Sequence, residues 1–111
     1  MIVSDRELIE LAAKAVGLFL VGYDEINGKG IAATEMPIKN LPFGWNPLTD
    51  DGDALRLAVK CKIDLILTHS DCESAFDHKC IQYAEPTTPD PCAATRRAIV
   101  RAAAEIGKEM P

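Results

Sequence analysis

The residues best suited to chemistry lie between positions 69 and 92. His69-x-x-Cys72-x5-His78-x-Cys80, with Cys92 further on, brings imidazoles and thiols together within a dozen residues. Imidazole and thiolate are the ligands of tetrahedral zinc, and such a set could order a loop that has little else to hold it. The spacing is not that of a standard finger, which pairs Cys-x2-Cys with a second pair. Cys80 also falls in a segment whose alternation reads as a strand, which would turn its sulfur toward the core. The plainer reading is apolar cysteines in the core and histidines in solvent. The expectation is therefore no cofactor, with zinc at His69, Cys72, His78 and Cys80 as the alternative.

Asp50, Asp51 and Asp53 invite a divalent-metal or acid/base role, with Asp50 and Asp53 as the pair. They lack the alternating Asp-x-Asp-x-Asp-Gly of a calcium loop, and carboxylates in a first helical turn are explained by the helix dipole alone. Arg96, Arg97 and Arg101 form the basic cluster of the chain. Arg97 and Arg101 share a face at i,i+4, and Arg101 can pair with Glu105. The cluster could hold a phosphate, a nucleotide or an acidic partner, against the default of a solvated helix face. No Gly-x-Ser-x-Gly, P-loop or dinucleotide fingerprint occurs, and the adjacent His69-Ser70-Asp71-Cys72 is a poor source of triad geometry.

These groups must be positioned by elements that the pattern outlines. Ser4-Asp5-Arg6-Glu7 is a capping box, followed by Leu8, Ile9, Ala12, Ala15 and Val16 at helical spacing and Gly17 as the C′ residue. Leu18 to Tyr23 reads as a strand. Asn27-Gly28 reads as a turn and Gly30 to Thr34 as a returning strand, while Met36 to Pro47, with three prolines, reads as irregular. A second helix starts at Thr49 or Asp50 and carries Ala54, Leu57, Ala58 and Cys61 on one face. Ile63 to Thr68 is apolar enough for a strand buried on both sides. His69 to Lys79 reads as a polar loop, Cys80 to Ala84 as a strand, and Glu85 to Pro91 as a rigid connector. The last helix opens at Asp90-Pro91 and carries Thr95, Ile99, Ala102, Ala103 and Ile106 inward, with Gly107 near its end. The order is α-β-(β)-α-β-β-α, an α/β domain with one sheet of three to four strands against helices.

At 111 residues, 48% hydrophobic and 26% charged, the chain fits one globular domain over 1–111. Its net charge of −5 disfavours indiscriminate binding to nucleic acid or anionic membrane. No signal sequence or membrane span is apparent, so a cytoplasmic location is expected, with the four cysteines reduced.

Two segments resemble a known family. Trp45-Asn46-Pro47-Leu48-Thr49-Asp50-Asp51-Gly52-Asp53-Ala54-Leu55-Arg56-Leu57-Ala58-Val59-Lys60 resembles the central block of the phage ABA-sandwich domain, and Ala93 to Gly107 resembles its C-terminal helix. Leu8 to Ala15 fits as well, and the three together cover about a third of the chain. The sequence departs from the family pattern at Cys61 and Cys92. The resemblance implies a three-layer sandwich with the sheet between helices, encoded by a tailed phage or prophage and located in the host bacterial cytoplasm. It implies no activity and no catalytic residues. The expected function is a non-catalytic binding or regulatory module for a protein or small ligand. A small metal-dependent enzyme and a nucleotide or nucleic-acid binder are the alternatives. Alanine-rich helical faces make a homo-oligomer conceivable.

Overall fold

The helices begin where their caps are written. In the computed structural model, which describes residues 4–24, 29–33, 43–67 and 72–110, α1 is Asp5–Ala15, α2 is Asp51–Cys61 and α3 is Pro91–Glu109. Ser4 Oγ accepts from the Glu7 N–H at 3.1 Å and donates to the Glu7 carboxylate at 3.3 Å. Asp50 caps α2 by accepting from the Asp53 N–H at 2.8 Å, and Asp90 caps α3 by accepting from the N–H groups of Cys92 and Ala93. Each cap satisfies a donor that has no partner within the first helical turn. Gly17, at φ 75°, closes α1 in the left-handed conformation that glycine adopts at no steric cost.

Phe19–Asp24 (β1) and Lys29–Ala33 (β2) pair antiparallel, with a register shift between Leu20 and Gly22. Phe43–Trp45 (β3) adds to β2 from within the proline-containing stretch that reads as irregular. The expected Asn27-Gly28 turn lies outside the described residues. Asp64–Ile66 (β4), Cys72–Phe76 (β5) and Gln82–Pro86 (β6) form a second antiparallel sheet in the order β4-β5-β6. The α/β class and a sheet packed against helices agree with the pattern. The strands of the described residues divide, however, into two three-stranded sheets.

Three local readings are corrected. The polar loop contains β5, the middle strand of its sheet. Its Glu73 and Ser74 are buried, and Ser74 Oγ accepts from the Gln82 amide at 2.8 Å, so polar letters there do not mean solvent. β4 is an edge strand with Ile66 exposed, not a strand buried on both faces. Cys80 precedes β6 in a turn, exposed and with φ 62°, so it does not point into the core as an alternating strand would require.

α3 carries the packing. It meets β5 and β6 of the second sheet and also α1 and α2. Buried residues therefore encircle much of it, including Ala94, Ala98, Val100 and Ala104 beyond the stripe that one helical period marks. The core is rich in alanine because the helices cross closely: Ala12 and Ala13 of α1 and Ala102, Ala103 and Gly107 of α3 are all buried. α3 runs two residues past Gly107, which lies near its end as expected. A β-carbon at Gly107 would fall on the Leu11 carbonyl of α1, so this crossing requires glycine. No helix of the described residues is long and apolar enough to cross a membrane.

Candidate functional site

Within the His/Cys set, Cys72 does not come together with His78 and Cys80. Cys72 is the first residue of β5, while His78 and Cys80 lie beyond its last residue, in the turn toward β6. At about 3.3 Å per residue, the ends of this strand are about 13 Å apart. Ligand atoms on one zinc, at bonds of about 2.0–2.3 Å, lie within about 4 Å of one another. Cys72 therefore cannot share an ion with His78 and Cys80. His69 lies outside the described residues. All four cysteines are free thiols.

The turn is instead organised by the buried carboxylate of Asp77. Its Oδ1 accepts from the N–H groups of Lys79 at 2.9 Å and Ile81 at 3.1 Å, and its Oδ2 accepts from the Tyr83 hydroxyl at 3.0 Å. Burial pushes the Asp77 pKa up, but the hydrogen bonds and the nearby His78 outweigh it and hold the carboxyl below its ordinary value. Burial and the same carboxylate push the Tyr83 hydroxyl up to about 12.

The acids and arginines meet one another. Arg96 Nη1 donates to Asp51 at 2.6 Å, and its Nε donates to the Leu48 carbonyl at 2.8 Å. Asp53 accepts from the Asn46 N–H at 3.0 Å and from Arg56 at 2.8 Å. Arg101 donates to Glu85 at 2.5 Å and lies over the Tyr83 ring, and Arg97 pairs with Asp5 at 3.0 Å and approaches the same Glu85. Arg97 and Arg101 do share a face, but the protein's own Glu85 occupies the place an outside anion would take. Asp50, Asp51 and Asp53 cap and tie α2, which is what a helix N-terminus asks of carboxylates.

The structure also forms a cleft of about 400 Å³ among α2, the β4–β5 edge of the second sheet and the first turns of α3. Ala54 and Leu55 form one wall, Leu65 and Leu67 another, and Cys92 and Ile99 a third. Arg96 and its partner Asp51 stand in the lining and leave most of it apolar. Leu55 is 60% exposed and Leu67 65% exposed, and Val59, one turn after Leu55, and Ile66, next to Leu67, are exposed as well. Exposed apolar surface of this kind marks binding sites more often than isolated exposed leucines do. One signal of it is present in the sequence. Leu55 and Val59 stand four residues apart and off the face defined by Ala54, Leu57 and Ala58, so α2 is apolar on more than its inner stripe. The contribution of Leu67 is not legible, because it depends on β4 being an edge. The alanine faces that suggest an oligomer are occupied within the chain by the α1–α3 crossing.

Comparison of the chain with family models, with curated proteins and with solved structures finds no significant match.

Proposed function

We propose that the chain is a non-catalytic binding module that docks an apolar segment of a partner protein in the cleft between α2, β4 and α3. The observation that carries this reading is the pair of exposed leucines, Leu55 and Leu67, standing over a mostly apolar cavity. A groove of this kind accepts the spaced side chains of a short helix or strand, and the Asp51–Arg96 pair in its lining offers polar groups to fix the segment's direction. Asp50 and Asp53, the pair that could serve as acid and base, are engaged as a helix cap and an ion-pair partner, which favours binding over turnover. We further propose that the protein belongs with the small tailed-phage or prophage proteins that it resembles. The two longer resembling blocks contain most of α2 and most of α3, which supply two walls of the cleft.

The test is selection of binders from a random peptide library on the immobilised protein, repeated with Leu55→Asp and Leu67→Asp. Exposed positions tolerate such changes with little loss of stability, within about 0.5 kcal/mol, so both variants should fold. Enriched peptides with large apolar residues at helical or strand spacing, lost on both variants, are the expected result. Peptides that bind the variants equally well, or no enrichment at all, would refute the reading. Concentration-dependent self-association abolished by the same substitutions would replace the partner with a second copy of the chain.

A further inference from the structure

A second cleft, of about 490 Å³, opens on another side of α2. That volume lies within the roughly 300–1,000 Å³ typical of small-molecule sites. Val16 and Leu18, just after α1, form its apolar walls with Trp45 of β3 and Leu57 of α2. Arg56 and Lys60, one turn apart on α2, are the exposed cations of its lining. The lining carboxylate, Asp53, is already neutralised, accepting from the Asn46 N–H at 3.0 Å and from Arg56 at 2.8 Å. Its side chain is only 13% exposed, whereas that of Arg56 is 73% exposed. No salt bridge among the described residues holds the Lys60 ammonium. In a chain of net charge −5, this cleft therefore combines an indole and aliphatic interior with cations at its outer side.

We propose that this cleft binds a small amphipathic monoanion, an aromatic or aliphatic carboxylate. Its apolar body would lie against the half-buried Val16 and Leu18, above the buried Trp45 and Leu57 that form the floor, and its carboxylate would accept from Lys60 and the exposed edge of Arg56. The complementarity is specific in two respects. An uncharged molecule of the same shape gains the burial but leaves the ammonium unpaired. A polyanion such as a nucleoside triphosphate brings charge that two cations cannot match, Arg56 being already shared with Asp53 at 2.8 Å and Asp50 at 4.0 Å. The site is distinct from the leucine-rimmed cleft, so it stands or falls independently of the proposed partner docking.

Trp45 is the single tryptophan of the chain, which gives the site its own reporter. The test is titration of the protein with 4-phenylbutyrate and, separately, with 4-phenylbutanol, to millimolar concentration. Binding is followed by Trp45 fluorescence and by the indole N–H resonance. Saturable perturbation by the acid, with the alcohol weaker by about tenfold, is the expected result, the size of a charge-assisted hydrogen bond. Lys60→Glu should weaken the acid by about tenfold or more while lowering the melting temperature by only a few degrees, the cost of an acid in the last turn of α2. Lys108→Glu, the same charge change on exposed α3 surface, should leave binding as it is. Equal affinity for acid and alcohol would overturn the proposal. So would an unmoved Trp45 signal, or equal weakening by Lys108→Glu, which would reduce the effect to overall charge.

Discussion

Replacing Gly107 with alanine adds one methyl group where α3 crosses α1, and the structure sets the sign of its effect. In an open helix interior the change would stabilise, because alanine is favoured over glycine by about 0.8–1.0 kcal/mol. Here the new β-carbon falls on the Leu11 carbonyl, with the Leu11 carbonyl carbon 2.9 Å away and the Ala15 nitrogen 3.3 Å away. These are backbone atoms of α1 and cannot rotate aside as a side chain would. Relief requires α1 to move off α3, which loosens the contacts of Ile9, Ala12 and Ala13 with the alanines of α3, all buried. Overpacking of this kind costs about 1–3 kcal/mol and occasionally more. With the obstacle being backbone the upper part of that range applies, so after the propensity gain the variant should lose about 2 kcal/mol. At about 4–5 °C per kcal/mol for a domain of this size, the melting temperature should fall by about 10 °C. Thermal and urea unfolding followed by circular dichroism would measure both quantities. Gly52→Ala is the internal comparison, since its β-carbon would lie 3.1–3.2 Å from side-chain atoms of Arg56 and the capping Asp50 and not on backbone; it should stay within about 1 kcal/mol of the parent. Gly107→Ala as stable as the parent, or more so, would refute the close crossing. Rescue by Leu11→Ala would also refute it, because truncating that side chain leaves the obstructing carbonyl in place.

Asp77→Ala leaves the Lys79 and Ile81 N–H groups and the Tyr83 hydroxyl without their acceptor and should cost about 1–3 kcal/mol by urea unfolding. Because the folded pKa of Asp77 lies below its ordinary value, its contribution is fully present above about pH 4 and is lost as pH falls through the folded pKa. The difference in stability between parent and variant should therefore shrink in acid, and a constant difference would contradict the assignment. Tyr83, with its pKa raised to about 12, contributes stability that is present below the unfolded value of about 10 and lost as pH rises toward the folded one. Absorbance titration should show a late phenol that Tyr83→Phe removes. Asp90→Ala, which removes the α3 cap, should cost about 1 kcal/mol in the same unfolding assay. Cys80 and Cys92, both exposed, should react first with a thiol reagent at neutral pH. Cys61, whose pKa burial raises against the lowering effect of Lys60, should lag, and substitution of each by serine assigns the phases.

The sequence by itself determined the helices. Ser4, Asp50 and Asp90 place the three starts, and Gly17 the first stop, because capping is settled by atoms a few residues apart in the chain. The β1–β2 hairpin is also legible, because apolar runs flank turn residues. What the tertiary structure alone decided is which surfaces those elements share. Cys72 to Phe76 becomes a central strand although Glu73 and Ser74 are polar, because neighbouring strands and α3 enclose it. His78 and Cys80 are divided from Cys72 by the length of that same strand. Arg97 and Arg101 are drawn to Glu85, a residue distant in sequence, rather than to an outside anion. Gly107 is a contact point, since the atom that requires it belongs to α1. Both clefts arise in the same way. Leu55 faces Leu67, and Lys60 stands near Trp45, only once long-range packing has fixed the helices and sheets against one another. A periodicity along the chain reports which side of a helix or strand is apolar, and the partner for that side comes from residues it does not cover.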